Sequence, residues 1–107
     1  MNQVKLAGNL GKDPEIRTFE KGGKLATFSL ATTEEFYTKS GDKSSSTTWH
    51  NISAWGKVAD RIEAELKKGS FAAVEGRLTN RSYVDKNGQK RYVTEVIAND
   101  IETSRAA

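Results

Sequence analysis

The sequence has 107 residues, of which 36% are hydrophobic and 29% charged, with no cysteine and a net charge of +3. These values predict one ordered, soluble domain and exclude a disordered chain, a disulfide framework and a thiolate metal site. No apolar run reaches the roughly 18 residues of a membrane helix, and the N-terminus lacks the features of a signal or transit peptide. A cytoplasmic protein is expected, and the mild positive charge favours a polyanionic partner.

Alternating apolar and polar residues predict five strands, which cover residues 2–7, 24–33, 49–55, 70–79 and 89–103. The segment 34–48 is rich in Ser, Thr and charged residues and is predicted to form a long polar loop. The sequence DKNG at 85–88 predicts the turn of a hairpin that joins residues 79–84 to the last strand. On the fourth strand, Ala72, Val74 and Leu78 are expected to face the core.

A short helix is predicted between the third and fourth strands, where the apolar period changes. Val58, Ile62 and Leu66 are spaced four residues apart and form a narrow apolar stripe. Asp60 is expected in the first turn of this helix, and Gly69 is expected at the C′ position just beyond its end.

The order of three strands, one helix and two strands predicts an OB fold, which is all-β apart from the single helix. It is a five-stranded Greek-key barrel with the helix between its third and fourth strands. An SH3-like barrel is the nearest competitor, but it would not need a helix of three turns at this point.

Two tryptophans on the third predicted strand indicate a binding surface. Because side chains alternate in a strand, Trp49 and Trp55 share one face with Asn51 and Ser53, roughly 20 Å apart, while Ile52 marks the core face. Exposed indoles offer flat faces to unpaired nucleic-acid bases, and each stacked base contributes about 1–3 kcal/mol whatever its sequence. The alternative is that another subunit or the long loop covers this face.

The hairpin between the last two predicted strands is basic and aromatic. Tyr83 and Tyr92 are interleaved with five basic residues against the single acid Asp85. The basic residues are Arg77, Arg81, Lys86, Lys90 and Arg91. This pattern is typical of an arm that follows phosphates and stacks bases, and Lys57 is a further candidate for a phosphate contact. The alternative is a hairpin that its charges keep solvated.

Motifs over nearly the whole chain resemble those of the bacterial single-stranded DNA-binding protein family. The matching segments are GNLGKDPEIR (8–17), GGKLATFSLATTE (22–34), WHNISAWGK (49–57), KKGS (67–70), VEGRL (74–78) and GQKRYVTEV (88–96). The resemblance implies an OB-fold domain over residues 1–104, followed by a frayed end at 105–107. It also implies binding of single-stranded DNA largely without regard to sequence, and protection of that DNA during replication, recombination and repair. The four aromatic positions that stack bases in the family fall on Phe36, Trp49, Trp55 and Tyr83.

The resemblance also implies a homotetramer, and the fourth predicted strand offers a candidate contact between subunits. Phe71 alternates onto the face opposite Ala72 and Val74, beside the small Ala73, as a narrow apolar patch bounded by charge. The alternative is that Phe71 closes the end of its own barrel.

Family members usually continue into a flexible linker and an acidic tip that recruits replication and repair enzymes. This sequence ends at Ala107, so partners recruited through such a tip are not expected.

Catalysis, bound metals and cofactors are not expected. The single histidine, His50, alternates onto the core side, and carboxylates such as Asp13 and Glu15 lie in predicted turns without an identifiable partner base. A further alternative is an OB-fold accessory protein of the primosome type or an RNA-binding protein, since nothing in the sequence distinguishes ribose from deoxyribose through contacts to the 2′-OH.

Overall fold

The computed structural model describes residues 1–103, which form six β-strands and one α-helix. The elements are β1 (Val4–Leu10), β2 (Glu15–Thr18), β3 (Lys24–Tyr37), β4 (Lys43–Trp55), α1 (Gly56–Glu65), β5 (Phe71–Val84) and β6 (Lys90–Thr103). The final residue of the predicted domain and the end predicted to fray lie outside the described residues. No helix in the described part of the chain is long and apolar enough to cross a lipid bilayer.

Five of the strands close into a barrel in the order β1-β5-β6-β4-β3, and β3 returns to β1. The closure is short, because β1 meets β3 only through Asn9 and Leu10. Glycine at position 8 permits this close approach of β1 to β3, since a Cβ there would overlap the carbonyl oxygen of Ala31. The remaining strand, β2, pairs with the first part of β3. The predicted OB fold, with its helix after the third barrel strand, is therefore confirmed.

The barrel core is built from the alternating apolar residues of the strands and from one side of α1. Its fully buried large side chains are Leu30, Ile52, Ile62 and Ile101. The predicted core residues Ala72 and Val74 are also buried, whereas Leu78 is exposed. Leu78 lies beyond the part of β5 that pairs with β1, where no second layer covers the strand.

The helix ends earlier than the sequence pattern predicts. Leu66 leaves the helical conformation, and its N–H donates to the carbonyl oxygen of Ile62 at 3.0 Å. Gly69 is therefore not the C′ residue but lies in the turn that follows, with φ of +86°.

Asp60 is not in the first turn, and its carboxylate instead forms an ion pair of 2.9 Å with Lys24 of β3. Glu63 and Asp60 accept hydrogen bonds from Lys24 and raise its pKa.

The predicted polar loop at 34–48 is wrong, because most of this segment continues β3 and β4 as a two-stranded ribbon. The turn at 38–42 joins the two strands, and the N–H of Thr38 donates to the carbonyl oxygen of Asp42 at 2.9 Å. Glu35 forms an ion pair of 2.8 Å with Lys43 across the ribbon. Both faces of the ribbon are exposed, so its strands need no apolar alternation.

Candidate nucleic-acid interface

The outer face of β4 presents the two tryptophans as the sequence predicts. Trp49 is 60% exposed and Trp55 is 51% exposed, and both follow the outward alternation of β4. On the opposite face Ile52 and Ala54 are buried in the barrel. Each indole thus has a free surface, while its backbone is held by pairing with β3.

Contacts with neighbouring turns hold both indoles in place. The ring of Trp49 lies over Gly11, where a Cβ would stand only 2.6 Å from the indole. The ring of Trp55 stacks on Phe19, with the ring centroids 5.8 Å apart and the planes inclined by 26°. The two aromatic surfaces are therefore positioned before any ligand arrives.

An open groove runs along the outer face between the positions of the two tryptophans. It consists of two adjoining cavities of about 290 and 470 Å³, and Trp55 lines the larger one. The residues that line both cavities are Glu15, Thr27, Ser53, Arg81 and Glu95. Small polar side chains form much of the floor, which leaves room for an extended chain to lie across the strands.

A hydrogen-bonded network joins the floor of the groove to its basic wall. Ser53 donates to Glu95 at 2.9 Å, and the Nε of Arg81 donates to the other carboxylate oxygen of Glu95 at 3.1 Å. The side chain of Glu95 is only 11% exposed, whereas that of Arg81 is 64% exposed. Glu95 thus anchors Arg81, and much of the guanidinium still faces the solvent of the groove.

The β5–β6 hairpin distributes its predicted binding residues over two faces. Arg77, Arg81 and Tyr83 alternate onto the face that continues the outer surface of β4, because Ser53 is aligned with Ile97 and Ile97 with Arg77. Lys90 lies on the opposite face, with its ammonium group 5.5 Å from the centre of the Tyr92 ring. Arg91 of β6 is aligned with Tyr83 and lies on the same face, so the hairpin brings four of its predicted binding residues to the groove side.

Asp85, the single acidic residue of the basic hairpin, fixes its turn. Asp85 accepts hydrogen bonds from the backbone N–H groups of Asn87 and Gln89 and from the Nε of Arg91 at 2.8 Å. The Arg91 guanidinium and these N–H groups hold the pKa of Asp85 below its usual range. Arg91 is thus partly neutralised within its own hairpin, whereas Lys86 stands exposed in the turn.

Three other predicted residues lie away from the groove. Phe36 is half exposed on the β3–β4 ribbon, aligned with Ser44, and alternation turns it to the face opposite that of Trp49. Lys57 is exposed in the first turn of α1. Phe71 is exposed at the start of β5 and points away from the buried Ala72, as the sequence predicts.

Four residues of the site have no part in the sequence-based prediction. They are Gly11, Arg17, Phe19 and Glu95, which contact or neighbour the tryptophans and Arg81 only in the folded chain. The sequence carries one usable signal, the aromatic Phe19 beside the polar turn at 20–23.

The His50 Nε2 lies 2.9 Å from the Thr32 hydroxyl. Within residues 1–103 no three His, Asp or Glu side chains gather in a way that could hold a metal ion.

Comparison with known proteins gives one consistent result. The sequence profile described as Single-strand binding protein family matches residues 1–104. "Single-stranded DNA-binding protein 1" of Chlorobaculum tepidum is 46% identical over 103 residues, which are 95% of this chain and 64% of that protein. "Single-stranded DNA-binding protein 1" of Xylella fastidiosa is 42% identical over 103 residues, or 95% of this chain and 76% of that protein.

A solved structure agrees with these relatives. The "Plasmodium falciparum SSB complex with ssDNA" superposes with a TM-score of 0.90 at 32% identity, over 98% of this chain and 96% of that one. The chain spans less than two thirds of the length of the C. tepidum protein. The match over residues 1–104 and the identity to these relatives show that the chain belongs to the single-strand binding protein family.

Proposed function

We propose that the protein binds single-stranded DNA, with bases stacked on its exposed aromatic rings and phosphates met by its basic side chains. The observation that carries this proposal is the pair of half-exposed indoles, Trp49 and Trp55, on the outer face beside an open polar groove. A similar fold occurs in a structure described as an SSB complex with ssDNA, and this likeness supports the same type of ligand.

The chemistry of the groove favours unpaired nucleic acid. Every base has a flat face that an indole can cover, so stacking tolerates any sequence. Paired bases offer no free face, and duplex DNA is therefore expected to bind far more weakly. Among the polar side chains that line the groove, Ser53 and Glu95 are already bonded to each other. Binding is thus expected to be largely independent of sequence.

The proposed contacts fall into two groups. The proposed stacking residues are Phe36, Trp49, Trp55 and Tyr83. The proposed phosphate contacts are Lys57, Arg77, Arg81, Lys86, Lys90 and Arg91. Because Phe36 and Lys90 lie on the far faces of their ribbons, a strand that reaches them must pass around the edge of the domain.

In the cell such a protein would cover exposed single strands during replication, recombination and repair. We place it in the cytoplasm with the chromosome, as a binding protein without catalytic activity or cofactor. We also propose that it assembles as a homotetramer, in which Phe71 contributes to the contacts between subunits.

A competition experiment tests the proposed ligand. A fluorescently labelled oligo(dT) is bound to the protein, and its anisotropy is followed as unlabelled oligo(dT), poly(U) or a duplex is added. We expect oligo(dT) to displace the label at much lower concentration than the duplex. Displacement by poly(U) at lower concentration than by oligo(dT) would favour an RNA-binding protein, and displacement by the duplex first would contradict the stacking mechanism.

A further inference from the structure

The stack between Phe19 and Trp55 leaves a second aromatic surface open beside the groove. The 5.8 Å separation of the ring centroids lies within the 4.5–7 Å range of stable aromatic pairs. Phe19 is nevertheless 45% exposed, so much of its ring still faces solvent. A ring that served only to support Trp55 would not need to remain this accessible.

The Phe19 ring is presented by a rigid turn between β2 and β3. The N–H of Phe19 donates to the carbonyl oxygen of Gly23 at 2.8 Å, and the N–H of Gly22 donates to the carbonyl oxygen of Phe19 at 2.8 Å. Gly22 has φ of +87°, a conformation that glycine adopts without strain. The backbone of Phe19 is therefore fixed, and little conformational freedom remains to be lost when a base stacks on the ring.

A positive charge lies next to this surface. Arg17 of β2 is aligned with Leu25 of β3, which is aligned with Trp55. Its backbone is thus two strands, or about 10 Å, from that of Trp55 on the same outer face. Arg17 lines the larger cavity together with Trp55, is exposed, and forms no ion pair within residues 1–103. Glu15, the nearest acid on β2, is aligned instead with Thr27, towards the middle of the groove.

We infer that Phe19 and Arg17 form a further nucleotide subsite, which extends the DNA path past Trp55 and over β2. Phe19 stacks the base next to the one on Trp55, and Arg17 contacts the phosphate that joins them. This inference rests on the proposed binding of single-stranded DNA, and it assigns binding roles to two residues outside the four aromatic positions named above. The alternative is that Phe19 only supports the Trp55 ring.

Three variants separate these roles. Phe19→Leu keeps an apolar side chain against Trp55 but removes the flat face, so it is expected to weaken oligo(dT) binding about 5- to 150-fold. Phe19→Tyr keeps the flat face and is expected to bind within about threefold of the wild type. Arg17→Gln is expected to lower the salt dependence of binding by about 0.7 per subunit, whereas Arg61→Gln, which removes the same charge from α1, is expected to leave it unchanged.

Photo-cross-linking locates the base directly. With oligo(dT) that carries 5-iodouracil, we expect adducts on the peptide that contains Phe19 as well as on the one that contains Trp55. Wild-type affinity in Phe19→Leu, equal losses in the Leu and Tyr variants, an unchanged salt slope in Arg17→Gln or no adduct at Phe19 would each overturn the subsite. If the wild type itself fails to bind oligo(dT), the proposed function is wrong, which is a distinguishable result.

Discussion

The indole of Trp49 covers Gly11, and a Cβ at position 11 would stand 2.6 Å from the ring. Contacts this close cannot persist, so any larger residue at position 11 must displace the ring. The ring sits on the surface and can be displaced by a side chain at position 11, whereas the backbone of Trp49 is fixed in β4. A glycine in a turn therefore sets the orientation of an aromatic residue that lies 38 positions further along the chain.

Gly11→Ala is therefore expected to weaken DNA binding without unfolding the domain. Displacement of the Trp49 ring should cost part of the roughly 1–3 kcal/mol of one stacked base, while the melting temperature changes little. The wild type is the reference, and a melting curve of the variant checks that the domain remains folded. An affinity for oligo(dT) equal to that of the wild type would show that Gly11 does not position the indole for binding.

The carboxylate of Glu95 is expected to limit the affinity of the groove. It forms an ion pair with Arg81 and adds a negative charge to the proposed path of the phosphates. Glu95→Gln keeps a hydrogen-bond acceptor for Ser53 and removes that charge, so we expect tighter binding of oligo(dT) at low salt and a steeper salt dependence. The gain should be about 1 kcal/mol, the interaction of two unit charges 4 Å apart in water. Weaker binding would mean that Glu95 contributes mainly by orienting Arg81.

The turn of the β5–β6 hairpin is expected to lose stability in acid. Because the pKa of Asp85 is lowered in the folded chain, its interactions add stability that is present above the unfolded pKa of about 3.9. That stability is lost as the pH falls through the lowered folded value. An NMR titration of the Asp85 carboxyl should show a midpoint below 3.9, and Arg91→Gln should move the midpoint upwards. A midpoint that does not respond to Arg91→Gln would assign the shift to the backbone N–H groups alone.

The proposed assembly is tested at Phe71. Its exposed ring points away from the barrel core at the start of β5, and a charge there would oppose an apolar contact between subunits. Light scattering should show a tetramer for the wild type and a folded species of lower mass for Phe71→Glu. A monomeric wild type would contradict the assembly, and a tetrameric variant with a lower melting temperature would instead place Phe71 in the packing of its own subunit.

The barrel was predictable from the sequence because its walls must be apolar on one side only. Leu30 and Ile52 follow this alternation, and the helical stripe through Ile62 identifies the helix that covers one end of the core. The ribbon at 34–48 has no such signal, since both of its faces meet solvent and backbone pairing alone defines it. Leu78 fits the core alternation and is aligned with the buried Val96, but it lies beyond the part of β5 that pairs with β1 and is exposed.

The proposed binding face was predictable only in part. The two tryptophans separated by small polar residues, and the basic hairpin, are recognisable in the sequence alone. The contacts that position them join residues far apart in the chain: Trp49 with Gly11, and Arg81 with Glu95. Only the register of the sheet brings such pairs together, and that register also places Phe36 on the opposite side of its ribbon.

The central claim, that Trp49 and Trp55 stack bases, is tested most directly by tryptophan fluorescence. These are the two tryptophans of the chain, so emission during a titration with oligo(dT) reports on the proposed surface alone. We predict strong quenching in the wild type, and a loss of about 1–3 kcal/mol of binding free energy in each of Trp49→Ala and Trp55→Ala, with unchanged circular dichroism. Tight binding of oligo(dT) without a change in emission would contradict the account.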